Sequence, residues 1–262
     1  MKHVLLSALL LGCGLFWTGC GTTTGENASS TPARQIYEWR IYTLKPGADA
    51  ALLDHFFRGQ LLPAYNKHGI DVGAFSHYQP YPEAEAGVRV LFFAYPDIES
   101  FQRVNRAVRE DKAFLESSAG FFAESAPNPV YTNLETYLCE AFDSLPQLRK
   151  PGAERELFEF RIYRSPNLEA NERKIHMFEN GEIGIFDETG INSVCYGRTL
   201  AGSRMPSLVY LTWYKDIDTR NEAWRQFQTH PEWARMKALA EYANTATNNT
   251  ARLLAPMPYS QY

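Results

Sequence analysis

The six residues Tyr37-Glu38-Trp39-Arg40-Ile41-Tyr42 return 121 positions later as Phe158-Glu159-Phe160-Arg161-Ile162-Tyr163. A duplicated stretch is a strong constraint, because whatever unit one copy builds, the other must build as well. Strict alternation marks a strand with two unlike faces. One face carries Tyr37, Trp39 and Ile41, echoed by Phe158, Phe160 and Ile162, and is suited to burial under helices. The other carries Glu38, Arg40 and Tyr42, echoed by Glu159, Arg161 and Tyr163; it is polar and the same in both copies.

Three further blocks repeat in the same order. His55-Phe56-Phe57 matches His176-Met177-Phe178, and His68-Gly69-Ile70 matches Thr189-Gly190-Ile191, both at the offset of 121. After a two-residue deletion, Tyr95-Pro96-Asp97-Ile98 meets Tyr214-Lys215-Asp216-Ile217 at an offset of 119. The chain therefore reads as two units of roughly 110 residues, the size of a small domain. Periodicity predicts a strand over 37–44, a helix over 48–67, strands over 73–79 and 88–95, a broken helical region over 97–124 and a strand over 133–142. The second unit repeats this with strands at 158–164, 192–198, 207–214 and 249–254, and helices at 168–189 and 219–242. Pro63 is expected to kink or restart the first helix, Gly69 to stop it, and Asp97 to cap the next. Strand-helix-strand-strand-helix-strand is the split β-α-β, ferredoxin-like order, which puts the chain in the α+β class.

The first residues behave differently. Lys2 and His3 precede an apolar run over 4–17 that is too short to span a bilayer, and Gly19-Cys20 closes it, in the manner of a secretory signal. Gly before Cys, with polar residues after it, resembles a bacterial lipoprotein signal. The resemblance implies export and lipid on Cys20, with Cys13 as the alternative, and hence a location in the cell envelope, anchored in the periplasm or at the outer membrane. Trp17 departs from the usual Leu or Val three residues before the cysteine. The expected organisation is a signal at 1–20, a tether at 21–34, domains at 35–143 and 156–256 joined by a linker at 144–155, and a loose tail at 257–262. Cys139 and Cys195 are not equivalent in the two units and are read as separate buried thiols, with pairing in an oxidising compartment as the alternative.

The block Tyr37-Glu38-Trp39-Arg40-Ile41-Tyr42, with His68-Gly69-Ile70, Asp216 and Pro231-Glu232-Trp233, resembles the NIPSNAP family. The likeness covers both units. It implies tandem NIPSNAP domains whose two four-stranded sheets pair within one chain, as in the dimeric α/β barrel superfamily. Phe158 replaces the usual Tyr, Thr189 stands in place of the His before Gly190, and Asp111-Lys112-Ala113-Phe114 replaces Pro-Glu-Trp in the first unit. The resemblance brings no settled catalytic residues and no cofactor.

If the sheets pair face to face, the polar strand faces are expected to point into the space between them. Two readings follow. Glu38, Arg40, Glu159 and Arg161 form an ion-pair network that fixes the register of the halves. Alternatively, Arg40, Tyr42, His77, Arg161 and Tyr163 floor a cavity for a small anionic or phenolic ligand. No pair of histidines or cysteines has metal-ligand spacing, and no phosphate loop, dinucleotide fingerprint or nucleophile elbow occurs. A net charge of −4 gives no electrostatic case for nucleic acid. The sequence thus points to a binding or interaction protein, with membrane contact only through lipid on Cys20 and homo-oligomerisation left open. The alternative is a cofactor-independent monooxygenase- or isomerase-like enzyme, on analogy of fold.

Overall fold

The computed structural model describes residues 33–79 and 87–262, so the expectations for Cys13, Cys20 and residues 1–32 fall outside it. The repeated stretches are the central strands Ile36–Leu44 (β1) and Leu157–Arg164 (β5). In the first repeat, β1 lies antiparallel between Val88–Tyr95 (β3) and Tyr131–Ala141 (β4), and β3 also pairs with Val72–His77 (β2). In the second, β5 lies between Ser207–Tyr214 (β7) and Asn248–Pro256 (β8), and β7 pairs with Asn192–Ala201 (β6). Two seams join the repeats: Phe75 opposite Pro256 and His77 opposite Leu254 on one side, Cys139 opposite Thr199 and Ala141 opposite Gly197 on the other. The result is one closed barrel in the order β1-β3-β2-β8-β5-β7-β6-β4.

Each repeat lays its helices on the outside of its own four strands. The first contributes Ala50–Phe56 (α1), Leu62–Asn66 (α2), Ile98–Glu110 (α3) and Lys112–Ser125 (α4). The second contributes Leu168–Met177 (α5), Ile183–Thr189 (α6), Ile217–Thr229 (α7) and Pro231–Lys237 (α8). Asp97 and Asp216 cap α3 and α7 by accepting from the backbone N–H of Ser100 and Thr219, at 2.6 and 2.7 Å. Gly69 and Gly190 take φ of 73° and 79° just past α2 and α6, a conformation that side-chain-bearing residues resist. Ile70 and Ile191, next in line, are buried. The repeated Gly-Ile pair is thus a helix stop followed by a core anchor. Between α1 and α2 the helix widens into a single π turn, Phe57–Leu61, whereas α5 and α6 are separated by a kink within Phe178–Glu182. Pro63 restarts the first helix as expected, but the second breaks with no proline, at Asn180 and Gly181, which leave helical geometry.

The facing of the central strands is the reverse of the expectation. Tyr37, Trp39 and Ile41 belong to one buried cluster with Phe158, Phe160 and Ile162, drawn from both repeats, and this cluster fills the barrel. The Trp39 ring lies 4.3 Å from that of Phe92 and 4.5 Å from that of Phe160 across the interior. Glu38, Arg40 and Tyr42, with their counterparts, face outward into the layer beneath the helices. An eight-stranded barrel has a bore that side chains can just fill, and here the apolar cluster fills it. Charged groups there would have no partners beyond one another. Under the helices they have them, because helix side chains reach down to the sheet. Among the described residues, the space between the sheets is therefore an aromatic and aliphatic core, and the Glu38–Arg40 and Glu159–Arg161 pairs lie outside it.

Residues 257–262 are tied down. Met257 and Gln261 donate backbone N–H groups to the carbonyls of Ala74 and Val72, and Tyr259 bonds Asp54 at 2.9 Å. Tyr262 is 7% exposed and packs its ring on Phe92 at the barrel core, 5.4 Å away.

Candidate functional site

Each repeat carries a cleft between the outer face of its central strand and its helices. In the first, Arg40 is almost fully engaged. Its Nε donates to Glu38 Oε1 at 2.6 Å, and its Nη2 donates to Tyr65 OH at 2.6 Å and Asn105 Oδ1 at 2.9 Å. Tyr95 OH donates to the other oxygen of Glu38 at 2.8 Å, and the Asn105 amide donates to Tyr95. The guanidinium also lies over the Phe93 ring at 4.5 Å. Burial alone would lower the Arg40 pKa, but the Glu38 carboxylate beside it outweighs that and keeps it charged. Arg106 and Arg109 extend this cleft, about 510 Å³ in volume, toward solvent.

The second cleft, about 470 Å³, keeps the strand residues and changes what surrounds them. Glu159 is fully buried, but its oxygens are held by α7: Arg220 Nη2 donates to Oε1 at 2.7 Å and Nε to Oε2 at 3.0 Å, while Trp224 Nε1 donates to Oε2 at 2.7 Å. Arg161 Nε lies 3.4 Å from Glu159 Oε1, within ion-pair range, but it is not aligned for a hydrogen bond and is a buried donor without a partner. Its Nη1 donates to Tyr210 OH at 3.3 Å, and Tyr210 OH donates to Tyr163 OH at 2.9 Å. The Trp224 ring covers the guanidinium at 4.2 Å. Burial opposes the Arg161 charge, but Tyr210, Tyr163 and Glu159 together hold its pKa above the ordinary arginine value.

Beside these lies a buried ion pair, Lys174 Nζ to Glu182 Oε2 at 2.8 Å, with the ammonium 4.7 Å from the Phe178 ring. Burial pushes the Glu182 carboxyl above the usual glutamate range, and Lys174 and Arg161 pull it partly back. At the offset of 121 their positions in the first repeat are Leu53 and Leu61, both in the apolar core. Glu182 follows directly on the kink at Asn180 and Gly181. Four cations, Arg161, Lys174, Arg220 and Lys237, line the cleft against one lining carboxylate, Glu182, with aromatic walls from Trp224, Phe227 and Trp233.

Of the residues singled out in the sequence, the cleft brings together Arg161 and Tyr163, with Glu159 behind them. Arg40 and Glu38 form a closed network in the other repeat. Tyr42 packs between Phe57 and Tyr131 as part of the core, and burial pushes its phenol up to about 12. His77 sits at the β2–β8 seam and lines neither cleft. Cys139 and Cys195 lie in the barrel interior as free thiols, and burial pushes the Cys139 thiol up to about 12. Among the described residues no group of three or more His, Cys, Asp or Glu side chains is placed to hold a metal, and no helix is long and apolar enough to cross a membrane.

The fold is a closed eight-stranded α/β barrel built from two like repeats within one chain, each with a cleft under its helices. Residues 158–261, nearly the whole second repeat, match the NIPSNAP family model. A candidate monooxygenase from Fusobacterium nucleatum is 12% identical, with 86% of this chain and 93% of that chain aligned at a TM-score of 0.54. A second, from Lactobacillus acidophilus, is 9% identical over 85% of this chain and 94% of its own, at 0.55. An anthrone oxidase-like protein is 10% identical over 87% and 93%, at 0.53. At such identities the likeness is one of fold. No curated protein matches the chain.

Proposed function

We propose that this chain is a binding protein that takes a small anionic or phenolic aromatic molecule into the cleft of its second repeat. The observation that carries this reading is Arg161, a buried cation with an unpaired donor, set among aromatic walls in a cleft with an excess of positive charge. A ligand oxygen there replaces water that the guanidinium has lost.

The test compares the two arginines. Small molecules carried through purification are identified by native mass spectrometry, and binding is measured by titration calorimetry. Arg161→Leu is expected to abolish binding in a protein that still folds. Arg40→Leu is expected to lower the melting temperature, because it strands Glu38, and to leave binding intact. Retained binding in Arg161→Leu would reject the site.

A proton-transfer enzyme is the second reading, favoured by Glu182, whose burial makes it a better base than a surface carboxylate. Conversion of a bound aromatic, lost in Glu182→Gln, would favour it. Export and lipid on Cys20 belong to the proposal on the strength of the N-terminal sequence. Intact-mass measurement tests them: an unmodified N terminus beyond Cys20 is the contrary result.

A further inference from the structure

We infer that the ligand of the second cleft is a carboxylate, and that Arg220 and Trp224 are positioning residues that keep Arg161 open for it by holding Glu159. This rests on the cleft being a binding site, and it adds the ligand class and the residues that make the two repeats differ.

The first repeat serves as an internal control. There the Nε and Nη2 edge of Arg40 is filled by oxygens: Glu38 on Nε at 2.6 Å, Tyr65 and Asn105 on Nη2 at 2.6 and 2.9 Å. Each of these acceptors is lost or diverted in the second repeat. Tyr65 becomes Phe186 and Asn105 becomes Trp224, neither of which accepts a hydrogen bond. Phe101 becomes Arg220, which grips Glu159 in a two-point contact at 2.7 and 3.0 Å while Trp224 donates to it at 2.7 Å. The distance from Nε to the strand carboxylate accordingly opens from 2.6 Å in the first repeat to 3.4 Å in the second. What remains is a guanidinium whose Nε, 3.4 Å from Glu159 Oε1, makes no hydrogen bond, and whose Nη2 lacks the counterparts of Tyr65 and Asn105; a carboxylate can bond such an edge at two points. A phenol offers one oxygen and fills half of it. Trp233 and Phe227, on the wall of the cleft, suit a flat hydrocarbon body.

The experiment uses the full chain with benzoate and phenol as probes, followed by calorimetry and by the Nε–H resonance of Arg161. Wild type is expected to bind benzoate at least about tenfold more tightly than phenol, with the Arg161 resonance shifting on benzoate addition. Arg220→Phe/Trp224→Asn, which restores the residues of the first repeat, is expected to weaken benzoate about tenfold or more. Its ligand-free Arg161 resonance should already stand at the ion-paired position, which a merely structural role for Arg220 would not produce. Arg220→Gln gives the same readouts with Trp224 in place, should the double variant fail to fold, and Arg220→Lys is expected to recover part of the binding. Benzoate affinity unchanged in these variants, or phenol binding as tightly as benzoate, overturns the inference while leaving the cleft a binding site. Failure of wild type to bind either probe overturns both.

Discussion

Lys174→Leu is expected to destabilise the protein by about 3–5 kcal/mol, and Lys174→Leu/Glu182→Leu to recover most of that loss. The reason lies in what each change leaves behind. Lys174 and Glu182 are 5% and 2% exposed, and each is the other's ion-pair partner at 2.8 Å. Removing the lysine alone strands a nearly fully buried carboxylate without its counter-ion. Removing both leaves an apolar pair at positions that Leu53 and Leu61 already fill in the first repeat. The pH dependence separates the variants further. Burial raises the Glu182 pKa and Lys174 lowers it, so in the single variant the folded-state value rises further. The folded protein then binds more protons than the unfolded one, and stability falls as pH rises from the ordinary glutamate range through the folded value. Urea denaturation should therefore show a larger deficit for Lys174→Leu at pH 8 than at pH 5, and no such difference for the double variant. A double variant as unstable as the single would show that the pair is held for packing of the lysine stem alone.

That ion pair also marks where the sequence could be read and where it could not. The repeat, the strand order and the two helix stops were legible, because alternation, spacing and the Gly-Ile pairs are local properties that tertiary packing rarely overrides. The facing of the central strands was not. Alternation separates Trp39 from Arg40 but does not say which side is inside; that depends on the barrel closing to a narrow bore. The reasoning that a buried Arg needs a carboxylate held for Arg40 and Glu38. For Arg161 the ion pair with Glu159 is there at 3.4 Å but without a hydrogen bond, because the residues that also hold Glu159 lie 61 and 65 positions away on α7. Lys174, Glu182, Arg220 and Trp224 were missed, although each departs from its counterpart (Leu53, Leu61, Phe101 and Asn105) at the offsets that defined the repeat. Breaks in an internal repeat were the available signal for function, since packing alone would have kept the two copies alike. The tail was misread because nothing local shows that Tyr262 has an aromatic core to enter.

Trp39→Ala is expected to cost about 3–5 kcal/mol, the range for deleting a fully buried large aromatic and leaving a cavity. Trp39 is 1% exposed, and its ring meets Phe92 from its own repeat and Phe160 from the other. Thermal and urea unfolding give the size of the effect, but the more informative measurement is its coupling to Phe160→Ala. Aromatic pairs in contact couple by about 0.5–1.5 kcal/mol beyond their burial, whereas residues with no shared neighbours add. If Trp39 and Phe160 meet inside one closed barrel, the double variant should deviate from additivity by an amount in that range. Were the aromatic faces turned outward under separate sets of helices, the two rings would lie in different cores and their losses would simply sum. Additive energies would therefore refute the inward facing, and with it the placement of Arg161 beneath α7 on which the ligand site depends.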